Sequence, residues 1–454
     1  MSIYKGYDIR GTVPDEITPD FAFSLGCAFA QYIRQGNMPV RTKKILVARD
    51  NRATSEDLSQ HLIDGLISQG IECIDIGLAA TPVFYFAADH FECDGGVMIT
   101  ASHNPPQYNG FKLVREHAIP IGIDSGLMDL KTLVEANQSS PTTPGTYTKK
   151  EIMDEYIAFH KKELGPIDTS SLKVVVDTGN GVSVLMVQPY LKELNTNVIP
   201  LYFDMDGTFP NHEPNPLKYE NIKVLCETVV SQKADCGIAL DADGDRVIFV
   251  DETGTPVSSD SIASLIASQL LSKNPGATIL YDIRSTHAVK DTIEAAGGIS
   301  QITRVGHAYI KLTMREFDAL FAGELSGHFY FKATHYYEAP LLVIGMVLDH
   351  LTRTGKTLSA TIAPYHTYNH TGEINFEVKD KATAIQRLKD HFISQSPQTS
   401  EIDGITMEFT GPDGDWWFNV RPSNTEDLLR LNLEAATPDI MNKKRDEVES
   451  IIKQ

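Results

Sequence analysis

The chain has 454 residues, and at roughly 150 residues per average domain this length predicts about three domains with large buried cores. Its composition, with 42% hydrophobic, 22% charged and 8% aromatic residues, excludes a disordered or fibrous chain. The 40 basic and 60 acidic side chains give a formal net charge of −20, which does not attract nucleic acid or anionic lipid, so an anionic ligand would need a local cluster of Arg and Lys.

Cysteine usage and hydropathy bear on the compartment. The 5 cysteines are scattered and form no Cys-x-x-Cys pair, which argues against a disulfide framework or a thiolate zinc site. The N-terminus carries charges where a signal peptide needs an apolar core, and the longest apolar run, Ala339 to Leu348, is too short to span a bilayer. We therefore expect a cytoplasmic protein that binds neither membrane nor nucleic acid.

Most of the chain consists of repeated β-α-β patterns. A strand-like segment begins at Lys44, apolar positions at helical spacing follow it, and a second strand begins at Glu72. The same order of elements returns over residues 172–203 and again over 277–305. Three successive units of this kind predict parallel or mixed sheets flanked by helices.

Composition changes mark the domain boundaries. A Ser/Thr/Pro-rich linker covers residues 138–148, a turn covers 252–256, and a third boundary falls near 365–371. Beyond it, short strand patterns alternate with helical patterns at 381–392 and 438–452, which predicts a smaller α+β domain. We therefore predict four domains: α/β domains over residues 1–145, 146–253 and 254–367, and an α+β domain over 368–454.

The segment TASHNPPQYNGFK, residues 100–112, directly follows a strand pattern. It places Ser102, His103 and Lys112 at the carboxyl end of a strand, where α/β sheets usually bind ligands. Ser102 is therefore a candidate reactive serine. A polar turn, in which Ser102 and Asn104 only bond the local backbone, explains the residues equally well.

The segment DADGDR, which contains Asp241, Asp243 and Asp245, lies between two strand patterns. Three carboxylates at alternating positions around a glycine can converge on one hard cation such as Mg²⁺. One alternative is a calcium-binding EF-hand loop, for which Glu252 stands at the twelfth position, but that loop needs Gly where Arg246 stands and helices where strands are predicted. The other is a solvated acidic turn.

The segment GELSGH, residues 323–328, offers a carboxylate and a hydroxyl between glycines. Glu324 and Ser326 could bond two adjacent sugar hydroxyls while the glycines let the backbone approach closely. A turn with a surface glutamate is the alternative interpretation.

The segment RPSNTE near the C-terminus combines a cation with hydroxyl and amide groups. Arg421 and the polar residues after it could hold a phosphate. The alternative is a Ser/Asn N-cap at the start of a helix. Several further residues are individually uninformative: Tyr7, Arg10, Arg284, His307 and Lys311.

The order of these segments carries more information than any of them alone. YDIRG, TASHNPPQYNGFK, FPNHEPNP, DADGDR, RVGHAYIK, GELSGH and RPSNTE resemble, in this order, the signature segments of the α-D-phosphohexomutase family. The resemblance runs from Tyr7 to about Leu433 and is greatest to the bacterial phosphomannomutase/phosphoglucomutase branch. It implies three related α/β domains with mixed sheets and a C-terminal α+β domain similar to the TATA-box-binding protein, around a central cleft.

The resemblance also implies residue roles. Ser102 would carry the phosphoryl group and, with Asp241, Asp243 and Asp245, would hold Mg²⁺. The substrate-binding residues would be Tyr7, Arg246, Glu324, Ser326, Arg421, Ser423, Asn424 and Thr425. The cationic and acid/base residues would be Arg10, His103, Lys112, Arg284, His307 and His328.

The implied reaction interconverts hexose 1-phosphate and hexose 6-phosphate, with mannose and glucose as the sugars. It runs through a phosphoserine and a hexose 1,6-bisphosphate, which also serves as the activator. Leu325 stands where phosphoglucosamine mutases usually carry Gln, which favours mannose or glucose over the amino sugar. Phosphoglucosamine mutase, a phosphatase that admits water and a non-catalytic binding relative are the alternatives.

Three segments depart from the family pattern. Ala242 replaces a common Gly, Glu426-Asp427 stands where a proline commonly follows the Glu, and FYFKATHYYEAP at residues 329–340 replaces a more acidic continuation. None of these changes removes Ser102 or an aspartate of the DADGDR segment. The sequence gives no indication of the oligomeric state.

Overall fold

The computed structural model describes residues 3–35, 43–136, 143–411, 414–423 and 428–454. The chain forms two compact units: the first contains residues 1–259 and 326–361, and the second contains residues 260–325 and 362–454. None of the helices in the described part of the chain has the length and apolar character that crossing a membrane requires.

Helices and strands alternate through the larger part of the first unit. Residues up to 150 contain β1 (Ile9–Thr12), α1 (Pro19–Gln35), β2 (Lys44–Arg49), α2 (Ser55–Ser68), β3 (Glu72–Leu78), α3 (Thr81–His90), β4 (Gly95–Ile99), β5 (Tyr108–Arg115), α4 (Leu127–Ala136) and β6 (Thr146–Lys149). Residues 151–258 contain α5 (Met153–Leu164), β7 (Lys173–Asp177), α6 (Val184–Glu193), β8 (Asn197–Leu201), α7 (Tyr219–Gln232), β9 (Cys236–Leu240), β10 (Val247–Asp251) and β11 (Pro256–Val257).

The alternation continues to about residue 362 and then gives way to a strand-rich segment. Residues 259–362 contain α8 (Ser259–Lys273), β12 (Thr278–Asp282), α9 (His287–Ala295), β13 (Ile299–Thr303), α10 (His307–Glu316), β14 (Phe321–Gly323), β15 (Phe329–Phe331), α11 (Pro340–Thr354) and α12 (Leu358–Ile362). The last segment contains β16 (Asn369–His370), β17 (Ile374–Phe376), α13 (Lys381–Phe392), β18 (Gln398–Ser400), β19 (Ile405–Phe409), β20 (Trp416–Pro422), β21 (Leu429–Ala435) and α14 (Pro438–Ile452).

The first sheet is mixed and has the strand order β1-β5-β4-β2-β3-β6. Strands β4, β2, β3 and β6 are parallel to their neighbours in that part of the sheet, and β5 and β1 pair antiparallel. Strand β2 is buried at four consecutive positions, Ile45 to Ala48, as in a central strand covered on both faces. Because β2 and β4 are parallel, the loops that begin at Asp50 and Thr100 lie at the same edge of the sheet.

The second sheet has the order β11-β10-β9-β7-β8. Strand β7 is parallel to β8 and β9, whereas β10 pairs antiparallel with β9 and β11. Leu240 lies opposite Val247 in the β9-β10 pair, so residues 241–246 form the hairpin loop between these two strands. The short loop brings the carboxylates of this segment close together.

The second unit contains a parallel segment and an antiparallel sheet. Strand β12 pairs parallel with β13 and β14. In the antiparallel sheet β21, β20, β19 and β18 are successive neighbours, and β16 and β17 both pair with β21. One apolar core, which includes Phe392, Phe418, Leu431 and Ile452, joins this sheet to α13 and α14. These elements confirm the predicted multi-domain α/β fold with mixed sheets and a C-terminal α+β segment.

Candidate active site

Ser102 lies in the loop that follows β4 and has an unusual backbone conformation. Its φ is 50°, a left-handed value that costs roughly 1–3 kcal/mol for a residue other than glycine. The backbone N–H of Ser102 donates to Oγ1 of Thr100 at 2.9 Å, which holds the turn, and Ser102 is 3% exposed. The loop therefore fixes Ser102 in a buried, strained position.

The hydroxyl of Ser102 contacts a distant part of the chain. It donates to Oδ2 of Asp241 at 3.2 Å and lies 3.1 Å from Nδ1 of His103. Burial lowers the pKa of His103 well below its ordinary value, and the charges of Arg246 and Arg10 lower it further, so the imidazole is neutral. The alternative that Ser102 serves only a local turn is wrong, because its hydroxyl reaches the loop after β9.

Arg52 fixes the Ser102 loop through hydrogen bonds to its backbone carbonyl groups. Its guanidinium donates to the carbonyl oxygens of Ser102 at 2.7 Å, Asn104 at 2.6 Å and Pro105 at 2.7 Å. Its own position is fixed by Asp50, whose Oδ2 accepts from Nε at 3.1 Å. Arg52 was not among the residues predicted from the sequence; the available signal was a charged Asp-Asn-Arg segment directly after the buried strand β2.

Two further cations approach the same loops. Arg10 on β1 donates to Oδ1 of Asn104 at 2.7 Å and to Oδ2 of Asp8 at 2.5 Å. Lys112 on β5 donates to Oδ2 of Asp243 at 2.8 Å and to Oδ2 of Asp245 at 2.5 Å. Both cations are therefore already paired with carboxylates in the folded chain.

Asp241, Asp243 and Asp245 converge in the β9-β10 loop, and one oxygen from each lies within 4.8 Å of the others. Burial and the charges of the two neighbouring aspartates raise the pKa of Asp241 well above its ordinary value. Burial acts in the same direction on Asp245, but the charges of Lys112 and His328 overcome it and hold the pKa of Asp245 well below its ordinary value. The charges of Asp243 and Asp245 therefore destabilise the ionised form of Asp241 in a buried site.

The aspartate loop fits a divalent cation. Oδ2 of Asp243 accepts from Thr81 at 2.8 Å and from Lys112 at 2.8 Å, whereas its Oδ1 is buried and has no hydrogen-bond partner among the described residues. An unpartnered buried carboxylate oxygen beside two other carboxylates is a site that a hard cation stabilises, and an all-oxygen donor set favours Mg²⁺. This arrangement also shows that the loop is not a solvated acidic turn.

The EF-hand interpretation of this loop is wrong. Strands β9 and β10, rather than helices, flank the aspartates. Glu252, which would be the twelfth ligand, instead accepts hydrogen bonds from the backbone N–H and the hydroxyl of Ser359. Arg246 occupies the position that would need glycine, and its backbone N–H donates to Oδ1 of Asp241 at 3.2 Å.

His328 is held between two polar groups of the first unit. Its Nε2 lies 3.2 Å from Oδ1 of Asp245, and its Nδ1 lies 2.8 Å from Oγ of Ser326. All three side chains are buried. The ring therefore links the aspartate loop to a hydroxyl of the GELSGH segment.

The second unit contains a cluster centred on Arg284, which follows β12. Its guanidinium donates to Oδ1 of Asp282 at 3.0 Å and to Oε1 of Glu324 at 3.0 Å. Glu324 is 4% exposed, so the interpretation of Glu324 as a surface glutamate is wrong. The structure instead fixes this carboxylate beside a buried cation.

Glu373 connects Arg284 to two other arginines. Its Oε2 accepts from Arg421 at 3.0 Å and lies 3.5 Å from Arg284, and its Oε1 lies 3.0 Å from Arg430. Burial raises the pKa of Glu373, but these three guanidinium groups outweigh it and lower the pKa below its ordinary value. We call Arg284, Arg421, Arg430 and Glu373 the arginine cluster. Glu373 and Arg430 were not among the residues predicted from the sequence.

The remaining predicted residues are placed as follows. Arg421 lies on β20, and Ser423 follows it, with its backbone N–H donating to the carbonyl of Leu428 at 2.9 Å. The N-cap interpretation of this segment is wrong, because Leu429 begins strand β21 rather than a helix. His307 begins α10, and Tyr7 precedes β1. The predicted residues Asn424 and Thr425 lie outside the described residues.

Comparisons with known proteins define the class. Four family models match consecutive parts of the chain: "Phosphoglucomutase/phosphomannomutase, alpha/beta/alpha domain I" at residues 1–139, domain II at 154–254, domain III at 258–368 and the C-terminal domain at 373–451. Together the matches span most of the sequence. The chain is therefore an enzyme of the phosphotransferase class to which phosphohexomutases belong.

Individual relatives agree with this class. A protein of Xanthomonas campestris named "Phosphohexose mutases" is 38% identical over 438 residues, covering 96% of this chain and 95% of that protein. A "Phosphomannomutase" of Methanocaldococcus jannaschii is 37% identical over 456 residues, covering 100% and 98%. A solved structure of a phosphoglucomutase/phosphomannomutase family protein from Burkholderia thailandensis superposes with a TM-score of 0.89 at 32% identity, covering 99% of this chain and 97% of that one. The chain belongs to the phosphoglucomutase/phosphomannomutase family.

Proposed function

We propose that the enzyme interconverts mannose 1-phosphate and mannose 6-phosphate, and the corresponding glucose phosphates, through phosphorylated Ser102. The contact between Ser102 and Asp241 supports this proposal most directly. The hydroxyl of Ser102 is buried, its backbone is strained, and it lies 3.2 Å from a carboxylate of the loop whose three aspartates could hold a metal ion. A serine with this position is suited to carry a phosphoryl group between substrates.

The reaction consists of two half-reactions. In the first, the bond between phosphorus and Oγ of Ser102 breaks, a bond forms between phosphorus and the free hydroxyl oxygen of the hexose monophosphate, and the proton of that hydroxyl is transferred to the enzyme. The seryl oxygen regains a proton, and the product is a hexose 1,6-bisphosphate. After the bisphosphate reorients, the reverse chemistry at its other end returns a phosphoryl group to Ser102. An added 1,6-bisphosphate activates the enzyme because it phosphorylates Ser102.

The side chains around Ser102 stabilise charge and move the proton. Lys112 and Arg10 stabilise negative charge that develops on the transferring group, because hydrogen bonds already fix the ammonium group of Lys112 and the guanidinium group of Arg10. His103 and His328 are the candidates for the proton transfer. Nδ1 of His103 lies 3.1 Å from Oγ of Ser102, and Nε2 of His328 lies 3.2 Å from Oδ1 of Asp245.

Asp241, Asp243 and Asp245, together with Ser102, would hold Mg²⁺. A bound Mg²⁺ ion offsets negative charge on the transferring phosphoryl group and on the three carboxylates. Oδ1 of Asp243 is buried, and none of the described residues forms a hydrogen bond with it, which supports this assignment.

The substrate contacts are assigned to the remaining predicted residues. Arg421, Ser423, Asn424 and Thr425 would bind the phosphate that does not react, since a buried guanidinium offers several donors in a fixed plane. Glu324 and Ser326 would bond the sugar hydroxyls. The auxiliary cationic and polar contacts would come from Tyr7, Arg246, Arg284 and His307.

Mass spectrometry of the enzyme tests the phosphoserine directly. Purified protein is incubated with glucose 1,6-bisphosphate and Mg²⁺, digested and searched for phosphopeptides. We expect phosphate on Ser102 in the wild-type chain and no phosphopeptide in Ser102→Ala. Mutase turnover should fall by several orders of magnitude in that variant. Phosphate at another residue, or near-wild-type turnover of Ser102→Ala, would overturn the proposal.

A further inference from the structure

A second group of metal-ligating side chains lies in the first unit, apart from the residues assigned above. It consists of Asp89, His117 and His335, and we call it the Asp89 cluster. One ligand atom from each residue lies within 4.8 Å of the others. The proposed mutase reaction uses none of these three side chains.

The Asp89 cluster joins three separate elements. Asp89 lies in the last turn of α3, His117 lies in the 3₁₀ turn Glu116–Ala118 that follows β5, and His335 directly follows the 3₁₀ turn Lys332–Thr334 after β15. Both turns are closed by backbone hydrogen bonds, from Arg115 to Ile119 at 2.8 Å and from Tyr336 to Phe331 at 2.9 Å. The two imidazoles are therefore presented by tight turns rather than by long loops.

The two histidines approach different oxygens of one carboxylate. Nδ1 of His117 lies 3.2 Å from Oδ1 of Asp89, and Nδ1 of His335 lies 3.4 Å from Oδ2. Charge-assisted hydrogen bonds are usually shorter, at about 2.7–2.9 Å. Ligand atoms bound tetrahedrally at zinc distances of about 2.0–2.2 Å are roughly 3.3–3.6 Å apart. Each imidazole lies at about this distance from its own oxygen of Asp89, and one ligand atom from each of the three residues lies within 4.8 Å of the others.

Two other histidine–carboxylate pairs among the described residues have a simpler composition. His61 pairs with Asp57, and His391 lies 3.0 Å from Oε1 of Glu447; each of these is a single imidazole beside a carboxylate. In the Asp89 cluster two imidazoles from turns 218 residues apart meet on one carboxylate. A single imidazole beside a carboxylate is explained by a surface ion pair. Two imidazoles and a carboxylate together make up a metal-binding donor set.

We propose that the Asp89 cluster binds a divalent transition-metal ion of the Zn²⁺ type. Imidazole nitrogen and carboxylate oxygen are donors that Zn²⁺ accepts readily, whereas Mg²⁺ prefers an all-oxygen set such as the aspartate loop. The side chains of His117 and His335 are 70% and 56% exposed, so an ion and its remaining water ligands can enter from solvent. Bound metal would tie α3 to the turns that follow β5 and β15 and would stabilise the folded chain.

Calorimetric titration of the full-length protein with ZnCl₂ tests the proposal. The titration is done in excess Mg²⁺, so that the aspartate loop is occupied by its own ion. We expect one saturable Zn²⁺ site per chain and an increase in melting temperature with Zn²⁺. The affinity should fall at least tenfold in each of Asp89→Asn, His117→Gln and His335→Gln.

His391→Gln is the matched control, because it removes an exposed histidine that pairs with one carboxylate. It should bind Zn²⁺ as the wild type does. The visible absorption of Co²⁺-loaded protein gives a second readout, since tetrahedral coordination produces an intense band that the three cluster variants should lose. A Zn²⁺ isotherm that is unsaturable in the wild type, or unchanged in the three cluster variants, would overturn the proposal.

Discussion

The Nζ atom of Lys112 lies 2.8 Å from Oδ2 of Asp243, and this contact joins strand β5 of the first sheet to the hairpin loop of the second. The same ammonium group lies 2.5 Å from Oδ2 of Asp245. Burial alone would lower the pKa of Lys112, but the two carboxylates overcome it and raise the pKa well above its ordinary value. A permanently charged lysine therefore offsets part of the charge of the aspartate loop.

Replacement of this lysine should affect both stability and activity. In Lys112→Met two buried carboxylates lose their cationic partner, and breaking a buried ion pair in this way costs about 3–5 kcal/mol. We expect a lower melting temperature and a loss of kcat/KM by about two orders of magnitude or more, with Lys112→Arg partly restoring the melting temperature. A Lys112→Met enzyme with wild-type stability and kinetics would contradict the assigned role.

Replacement of one aspartate should change the metal dependence. Asp243→Asn keeps the size of the side chain but removes the charge of its carboxylate, whose Oδ1 has no hydrogen-bond partner in the part of the chain that the structure describes. We expect the Mg²⁺ concentration for half-maximal activity to rise by about tenfold or more, because the charge that offsets cation dehydration is reduced. Asp206→Asn, at an exposed position, is the control. Equal Mg²⁺ titrations of the two variants would place the metal elsewhere.

The sequence predicted much of the fold and part of the site. Helices α13 and α14 have the predicted bounds, 381–392 and 438–452, because apolar periodicity determines such amphipathic elements locally. The closeness of Ser102 to the aspartates was implied only by family resemblance. The charged segment after β2 could have drawn attention to Arg52, but the roles of Arg52 and Glu373 depend on carbonyl groups or arginines that only tertiary folding brings to them.

Arg52 provides a test of loop positioning. The side chain of Arg52 reaches several carbonyl oxygens of the Ser102 loop at once, and lysine cannot reproduce this planar set of donors. We expect Arg52→Lys to reduce kcat by about 10- to 100-fold with a smaller change in KM, because a displaced Ser102 lowers the rate of transfer. The control is Arg49→Lys, whose ion pair with Glu56 is largely exposed on the glutamate side. If both variants have similar kcat values, Arg52 does not position the loop.

Asp260 provides a test of pH dependence outside the proposed reaction. Burial raises the pKa of this carboxyl group to about 7, against the hydrogen bond that it accepts from the backbone N–H of Thr286. Because the pKa is higher in the folded chain than in the unfolded chain, the stabilisation by the bound proton is complete below about pH 4 and is lost as the pH rises through about 7. The maximum effect is about 4 kcal/mol.

Asp260→Asn mimics the protonated carboxyl group at every pH. We expect the melting temperature of the wild type to fall relative to that of the variant between about pH 4 and about pH 7. Asp390→Asn, at an exposed position, controls for the general change in charge. A difference in melting temperature between wild type and Asp260→Asn that does not change with pH would show that Asp260 titrates normally.

The proposed reaction moves a phosphoryl group between the two ends of a hexose phosphate without losing it to water. Phosphorus NMR measures this directly in a mixture of the enzyme, Mg²⁺, mannose 1-phosphate and a trace of glucose 1,6-bisphosphate, with glucose 1-phosphate and glucosamine 1-phosphate as parallel substrates. We expect mannose 6-phosphate and glucose 6-phosphate to form without inorganic phosphate. Accumulation of inorganic phosphate alone, or conversion of glucosamine 1-phosphate alone, would contradict the proposal.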